Sequence, residues 1–268
     1  MRHPITLLVM FGMPSIVTLP IGAGQSPRAQ LKDALVEERT ATTHPIHYLV
    51  SLPQGWTREK RWPVVIVITD AYREFHETAR EFASARGSRP FIIVVPLVLS
   101  GGGPAKQHRT DFDYAPAVWT FADSVGSCRF DDQGMTAVLR DVHREYNGDN
   151  RIFITGWEAG GHVVLAQLFG HPERIRALAV STPNFQGRCV SANGRVARSL
   201  ANIPVRGFHG VDDVTWVRGQ PLYDQWPQLE SVAHARGFTN VADTLIPHQG
   251  RGPMPDAVLS FFNGFLGR

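Results

Sequence analysis

Residues 154–161 read ITGWEAGG, so Glu158 stands between Gly156 and Gly160 where an apolar run passes into a helical pattern. A tight strand-to-helix turn of this kind lifts its central side chain out at the end of the strand; serine there is a nucleophile. Glutamate changes the chemistry. With a reference pKa near ~4.3 it is ionised at neutral pH and needs no base, so it could attack an sp3 carbon and form an ester. Breaking that ester would need an activated water.

Three further stretches carry groups able to act with Glu158. Asp70 ends the run PVVIVITD, Asp212 and Asp213 follow GFHG, and His248 to Arg251 follow VADTLIP. Arginine, with a pKa above ~12, does not take a proton from water. It does grip carboxylates through two parallel hydrogen bonds. A buried Glu158 requires a cationic partner, so the expectation is a closed ion-pair network of Glu158, Arg251 and Asp213. His248 is the rival base: a shifted loop would give Glu158–His248–Asp213, a working hydrolase for esters or epoxides. Asp70, Glu158, Asp213 and His248 are also hard-metal ligand types. No compact ligand spacing supports that set and Arg251 opposes a cation, so neither a metal nor a cofactor is expected. Asp70, Ala71 and Tyr72 are expected to contact a ligand, as are Trp157 and Ala159 at the turn. Ser100, beside three glycines, and Trp216 complete the set, and Trp119 is a further aromatic for the pocket or the core.

These residues need a sheet to gather them. Strands are expected at 46–53, 63–70, 91–99, 151–156, 177–182, 203–210 and 241–247; the β-branched runs among them suit strands buried on both faces. Helical spacing of apolar residues marks 73–86, 130–146, 159–169, 222–237 and 254–266. Alternation of strands and helices implies an α/β fold: a mostly parallel sheet with right-handed crossovers and helices on both faces. In such sheets functional groups collect beyond the carboxyl ends of the strands, where the four stretches above fall. Residues 100–127 lack clear periodicity and read as a long binding loop.

The chain has 268 residues, 43% hydrophobic and 19% charged, with 25 Gly and 19 Pro, which suits one globular domain rich in turns. A net charge of +3 with its 27 basic residues scattered gives no phosphate-tracking surface, so nucleic acid is not an expected partner. Met1-Arg2-His3 and the apolar segment up to IGAGQS read as a signal peptide over 1–24, followed by a linker over 25–43 and a single domain over 44–268. Pro14 and Pro20 interrupt the apolar run short of the ~20 residues of a membrane span. The mature protein is expected to be exported, periplasmic or extracellular, and free of the membrane. There Cys128 and Cys189 could form a disulfide, or remain two separate thiols.

The strand order, the elbow GWEAGG, the segment FHGVDD and the run GRGPMPDAVLSFF together resemble α/β-hydrolases of the secreted esterase and polyhydroxybutyrate-depolymerase type, over residues 44–266. The resemblance implies an α/β-hydrolase fold and a small-molecule or polymer ligand. It places Glu158 at the nucleophile position, Asp213 at the acid and Arg251 at the base. It also sets Asp70 where such hydrolases offer a backbone donor to the oxyanion. A carboxylate there opposes negative charge. The implied protein is a hydrolase-like fold with a substituted triad that binds a ligand in the old cleft; a structural or partner-binding module is the third alternative.

Overall fold

The computed structural model describes residues 35–102, 109–190 and 194–267; the expected signal peptide over 1–24 and residues 25–34 of the expected linker lie outside them. Eight strands form one sheet: β1 (Glu37–Thr40), β2 (His47–Ser51), β3 (Val64–Ile68), β4 (Ile92–Pro96), β5 (Ile152–Trp157), β6 (Ile175–Ser181), β7 (Val205–Gly210) and β8 (Val241–Ile246). Their order is β1-β2-β4-β3-β5-β6-β7-β8. β1 and β2 run antiparallel to their neighbours, and β3 through β8 are parallel to one another. Val64 to Ile68 and Ile92 to Val95 are at most 1% exposed, as β-branched runs covered on both faces should be.

Among the described residues six α-helices accompany the sheet: α1 (Phe75–Arg86), α2 (Pro116–Val125), α3 (Ser127–Tyr146), α4 (Gly160–Gly170), α5 (Pro221–Ala235) and α6 (Pro255–Asn263). α1 packs on β4, β2 and α6, α4 on β5, β6 and β3, and α5 on β8. Phe91, Phe153 and Phe262 are fully buried, with Phe153 5.0 Å from Phe262 and 5.6 Å from Phe91 between ring centroids. This aromatic stack joins the sheet to the last helix.

Two expectations are corrected. The segment Glu37–Thr40 lies within the stretch read as linker, yet it pairs with β2 at the sheet edge. Its sequence, EERT, is charged and exposed, so backbone pairing rather than apolar burial holds it. Within the stretch read as a loop, residues 116–125 are helical, opened by a proline in the first turn. Trp119 and Ala122 are its buried residues. Trp119 packs with Phe112 and Tyr114 at 5.8 and 5.7 Å, so it belongs to the core rather than to a ligand pocket. Cys128, at the start of α3, is bonded to Cys189 in the loop after β6, with Cα atoms 5.3 Å apart.

Candidate functional site: a carboxylate at the elbow

Glu158 adopts φ +48°, the left-handed conformation that thrusts its side chain away from the sheet. Three hydrogen bonds fix the turn: Glu158 N–H donates to Ser181 O at 3.0 Å, and the Glu158 carbonyl accepts from Gly161 N at 3.0 Å and Asn184 N at 3.1 Å. Gly160 is obligatory here. A Cβ on it would lie 2.5 Å from Thr69 O and 2.6 Å from Ile68 O, so only glycine lets the start of α4 pass the end of β3.

The Glu158 carboxylate is satisfied on both oxygens. The N–H of Ala159 donates to Oε2 at 2.6 Å. Asn184 Nδ2 donates to Oε1 at 3.4 Å, and Arg251 Nη2 stands 3.3 Å from the same oxygen. Side-chain exposure is 16% for Glu158 and 37% for Arg251, so the pair is partly open to solvent. The loop that presents Arg251 is pinned on both flanks. Ser181 Oγ donates to Pro253 O at 2.9 Å and Asp212 N to Gln249 O at 3.0 Å. A Cβ on Gly210 would lie 2.1 Å from Gln249 O, so β7 ends in glycine to let this loop cross.

Asp70 is 3% exposed, and its Oδ1 accepts the N–H of Tyr72 at 3.1 Å. Burial pushes its carboxyl up to about 6; the charges of Glu158 and Glu74 push the same way, against the Tyr72 hydrogen bond and Arg251. Glu158 and Asp70 thus bring two carboxylates to the ends of neighbouring strands, β5 and β3. The two backbone donors beside them are already engaged. Ala159 N–H, which follows the nucleophile position and serves the oxyanion in a serine hydrolase, holds the Glu158 carboxylate, while Tyr72 N–H holds Asp70.

Other expected members lie elsewhere. Asp213, 3% exposed, is held by other partners: Oδ1 accepts from Thr215 N at 2.8 Å and Thr215 Oγ1 at 2.6 Å, and Oδ2 from Thr182 Oγ1 at 3.2 Å. The three-member ion-pair network is therefore corrected to a two-member contact, because hydroxyl and backbone donors already satisfy Asp213. His248 is exposed at φ +56°, and among the described residues it makes no hydrogen bond or ion pair with Glu158 or Asp213. Among those residues no group of three or more His, Cys, Asp or Glu is placed to hold a metal ion. Ser100 is buried, its Oγ and N–H both donating to Asp131 Oδ2, the latter at 2.7 Å. It borders a separate cavity of about 230 Å3 shared with Asp131, Cys128 and Cys189. Trp216 stacks on the buried ring of His209 at 3.3 Å between centroids, Trp157 is half-buried, Ala71 is partly exposed, Ala159 is buried, and Tyr72 is 80% exposed.

Sequence reasoning missed two contributors. Asn184 reads as an ordinary loop residue, and nothing in its spacing connects it to Glu158. Ser181 reads as a strand residue, although its hydroxyl ties down the Arg251 loop. Both follow from β6 lying beside β5 in the sheet.

No family model matches the sequence, and no curated protein does. Solved structures do. A putative dienelactone hydrolase from Klebsiella pneumoniae is similar at TM-score 0.55 and 16% identity, over 83% of this chain and 89% of the other. A poly(3-hydroxybutyrate) depolymerase from Bordetella parapertussis gives 0.55 and 15%, over 90% and 92%. A ferulic acid esterase from Anaeromyces mucronatus gives 0.53 and 15%, over 87% and 88%. At such identities the likeness is one of architecture, and with the strand order above it establishes that this chain has the α/β-hydrolase fold.

Proposed function

We propose that this is an exported α/β-hydrolase-fold protein, esterase- or depolymerase-like in build, that has lost serine-esterase chemistry and uses the cleft at Glu158 to bind a ligand. One observation carries the reading: the Ala159 N–H, the donor an acyl-transfer intermediate needs, is held at 2.6 Å by the carboxylate of Glu158 itself. An anion occupies the place where negative charge would have to develop, and stabilisation of that charge is the largest contribution to such catalysis. Arg251 supports the reading because a permanently protonated guanidinium does not act as a base. Export rests on the basic start and short apolar segment of the leader and on the cysteine pairing, which suits an oxidising compartment.

Short-chain aryl esters and epoxides offered to the purified protein test this. Rates are expected to equal those of Glu158→Gln. Turnover by the wild type that Glu158→Gln abolishes would show a working hydrolase with Glu158 as nucleophile or base.

A further inference from the structure

Arg251 faces two ways. On one side Nη2 meets Glu158; on the other the side chain borders an open groove of about 660 Å3 between α1 and the loop leading into α6. That volume falls within the roughly 300–1,000 Å3 of small-molecule sites. Its walls are mixed, with an apolar strip from Ala85, Ile246, Pro253, Met254 and Ala257 beside Ser84, Gln249 and the charged groups. Glu158 does not line it, so the guanidinium is the partition between elbow and groove.

Glu158 leaves most of the guanidinium unused. Its Oε2 is satisfied by Ala159 N–H and its Oε1 also takes Asn184, while Arg251 makes one 3.3 Å ion contact and, among the described residues, no hydrogen bond. Guanidinium has five N–H donors in a planar fork, and carboxylate is the group whose two oxygens match that fork. Two acids share the groove. Asp256 Oδ1 stands 3.7 Å from Arg89, and burial, with Glu77 and Glu74 behind it, raises the pKa of Glu81.

We infer that the groove binds a monocarboxylate with an apolar body, its carboxylate forked on Arg251 and its body along Pro253, Met254 and Ala257. The groove lies on the far side of the guanidinium from Glu158, so the inference adds a site beside the proposed cleft instead of naming that cleft's own ligand. Arg251 then bridges two carboxylates, the protein's and the ligand's. Asp70, faced by Glu158, Glu74 and Arg251, weakens the site when ionised, so affinity rises as Asp70 takes up its proton.

Three probes sharing one body decide it: 3-phenylpropionate, 3-phenylpropionamide and 3-phenylpropylamine, titrated calorimetrically into the full chain. The carboxylate is expected to bind at least about tenfold more tightly than the amide, a preference fit for a charge-assisted fork. Arg251→Gln reduces it to the amide's affinity and Arg251→Lys keeps part of it. Ala257→Phe, with the guanidinium intact, weakens the carboxylate and amide alike by filling the groove. Carboxylate affinity increases on acidification towards about pH 5.5, and Asp70→Asn combined with Glu81→Gln removes that trend. Equal affinities, no binding by any probe, an unchanged Arg251→Gln, or preference for the amine, which would make Glu81 the recognising group, each overturn the inference. None of the probes is an ester, so a protein that failed here while turning over no ester would leave the loss of esterase chemistry standing.

Discussion

Replacing Asp70 by asparagine should make the protein more stable, and only at neutral pH. Asp70 is 3% exposed, and its carboxyl lies at about 6 instead of the ordinary 3.8. Burial is the main cause, followed on the raising side by the charge of Glu158. A carboxyl whose folded pKa is raised destabilises the fold wherever it is ionised. Below the unfolded value both states are protonated and nothing is lost; between about 4 and 6 the penalty grows; above about 6 it is complete. At ~1.4 kcal/mol per pH unit, the interval corresponds to an upper bound of about 3 kcal/mol. Asparagine keeps an oxygen for the Tyr72 N–H but places an amide –NH2 in the same buried position, which reduces the gain to roughly 1–2 kcal/mol. For a domain this size that is a Tm increase of roughly 2–8 °C. The assay is a set of thermal and urea melts of wild type and Asp70→Asn between about pH 4 and 8. The two proteins should converge at the acid end and separate as pH rises through about 6. A gain of equal size at both ends, or a loss at neutral pH, would refute the reasoning, since neither follows from a buried carboxylate beside a second anion.

The contact between Glu158 and Arg251 should show in a double-mutant cycle with Glu158→Gln and Arg251→Gln as a coupling of about 0.5–1 kcal/mol, shrinking in high salt because Arg251 is partly exposed; zero coupling at low salt would mean that the charges do not feel each other. Cys128 and Cys189 close a sequence separation of 61 residues, so their joint replacement by serine should lower stability by about 4 kcal/mol in the chain-entropy limit. Equal melting temperatures with and without a reducing agent would contradict it. Gly160→Ala should fail to give folded protein, or lose more than about 3 kcal/mol in a denaturant titration, because its Cβ would meet two carbonyl oxygens of the β3 end. A variant as stable as wild type would mean that the elbow is not built this tightly.

How far the sequence reveals this molecule depends on what holds each part. The parallel strands were legible because five-residue β-branched runs such as VVIVI have no other stable environment than a sheet covered on both faces. Glu158 was legible because glycines at 156 and 160 bracket it, and the close packing behind Gly160 explains why those spacings exist. β1 was not legible, since an exposed edge strand of charged residues carries no hydrophobic signal. α2 carried one that went unused: Val118, Phe121, Ala122 and Val125 recur at helical spacing, but the glycines and polar residues ahead of them drew the whole segment into a loop. Asp213 shows the harder limit. Its position after β7 was readable, but which donors its carboxylate meets depends on Thr182 from the neighbouring strand's loop and on the turn to Thr215. Asn184 reaches Glu158 across the sheet, a proximity that no local pattern encodes.

The central claim is that a carboxylate, capped by its own turn, stands where a hydroxyl nucleophile would have to be. Incubation of the full chain with a fluorophosphonate probe, read by intact mass, tests it most directly, because that reagent traps an activated serine through the same oxyanion-binding donors. The account predicts no adduct in the wild type, and none in Glu158→Gln. A stoichiometric adduct on any serine of the wild type would contradict it.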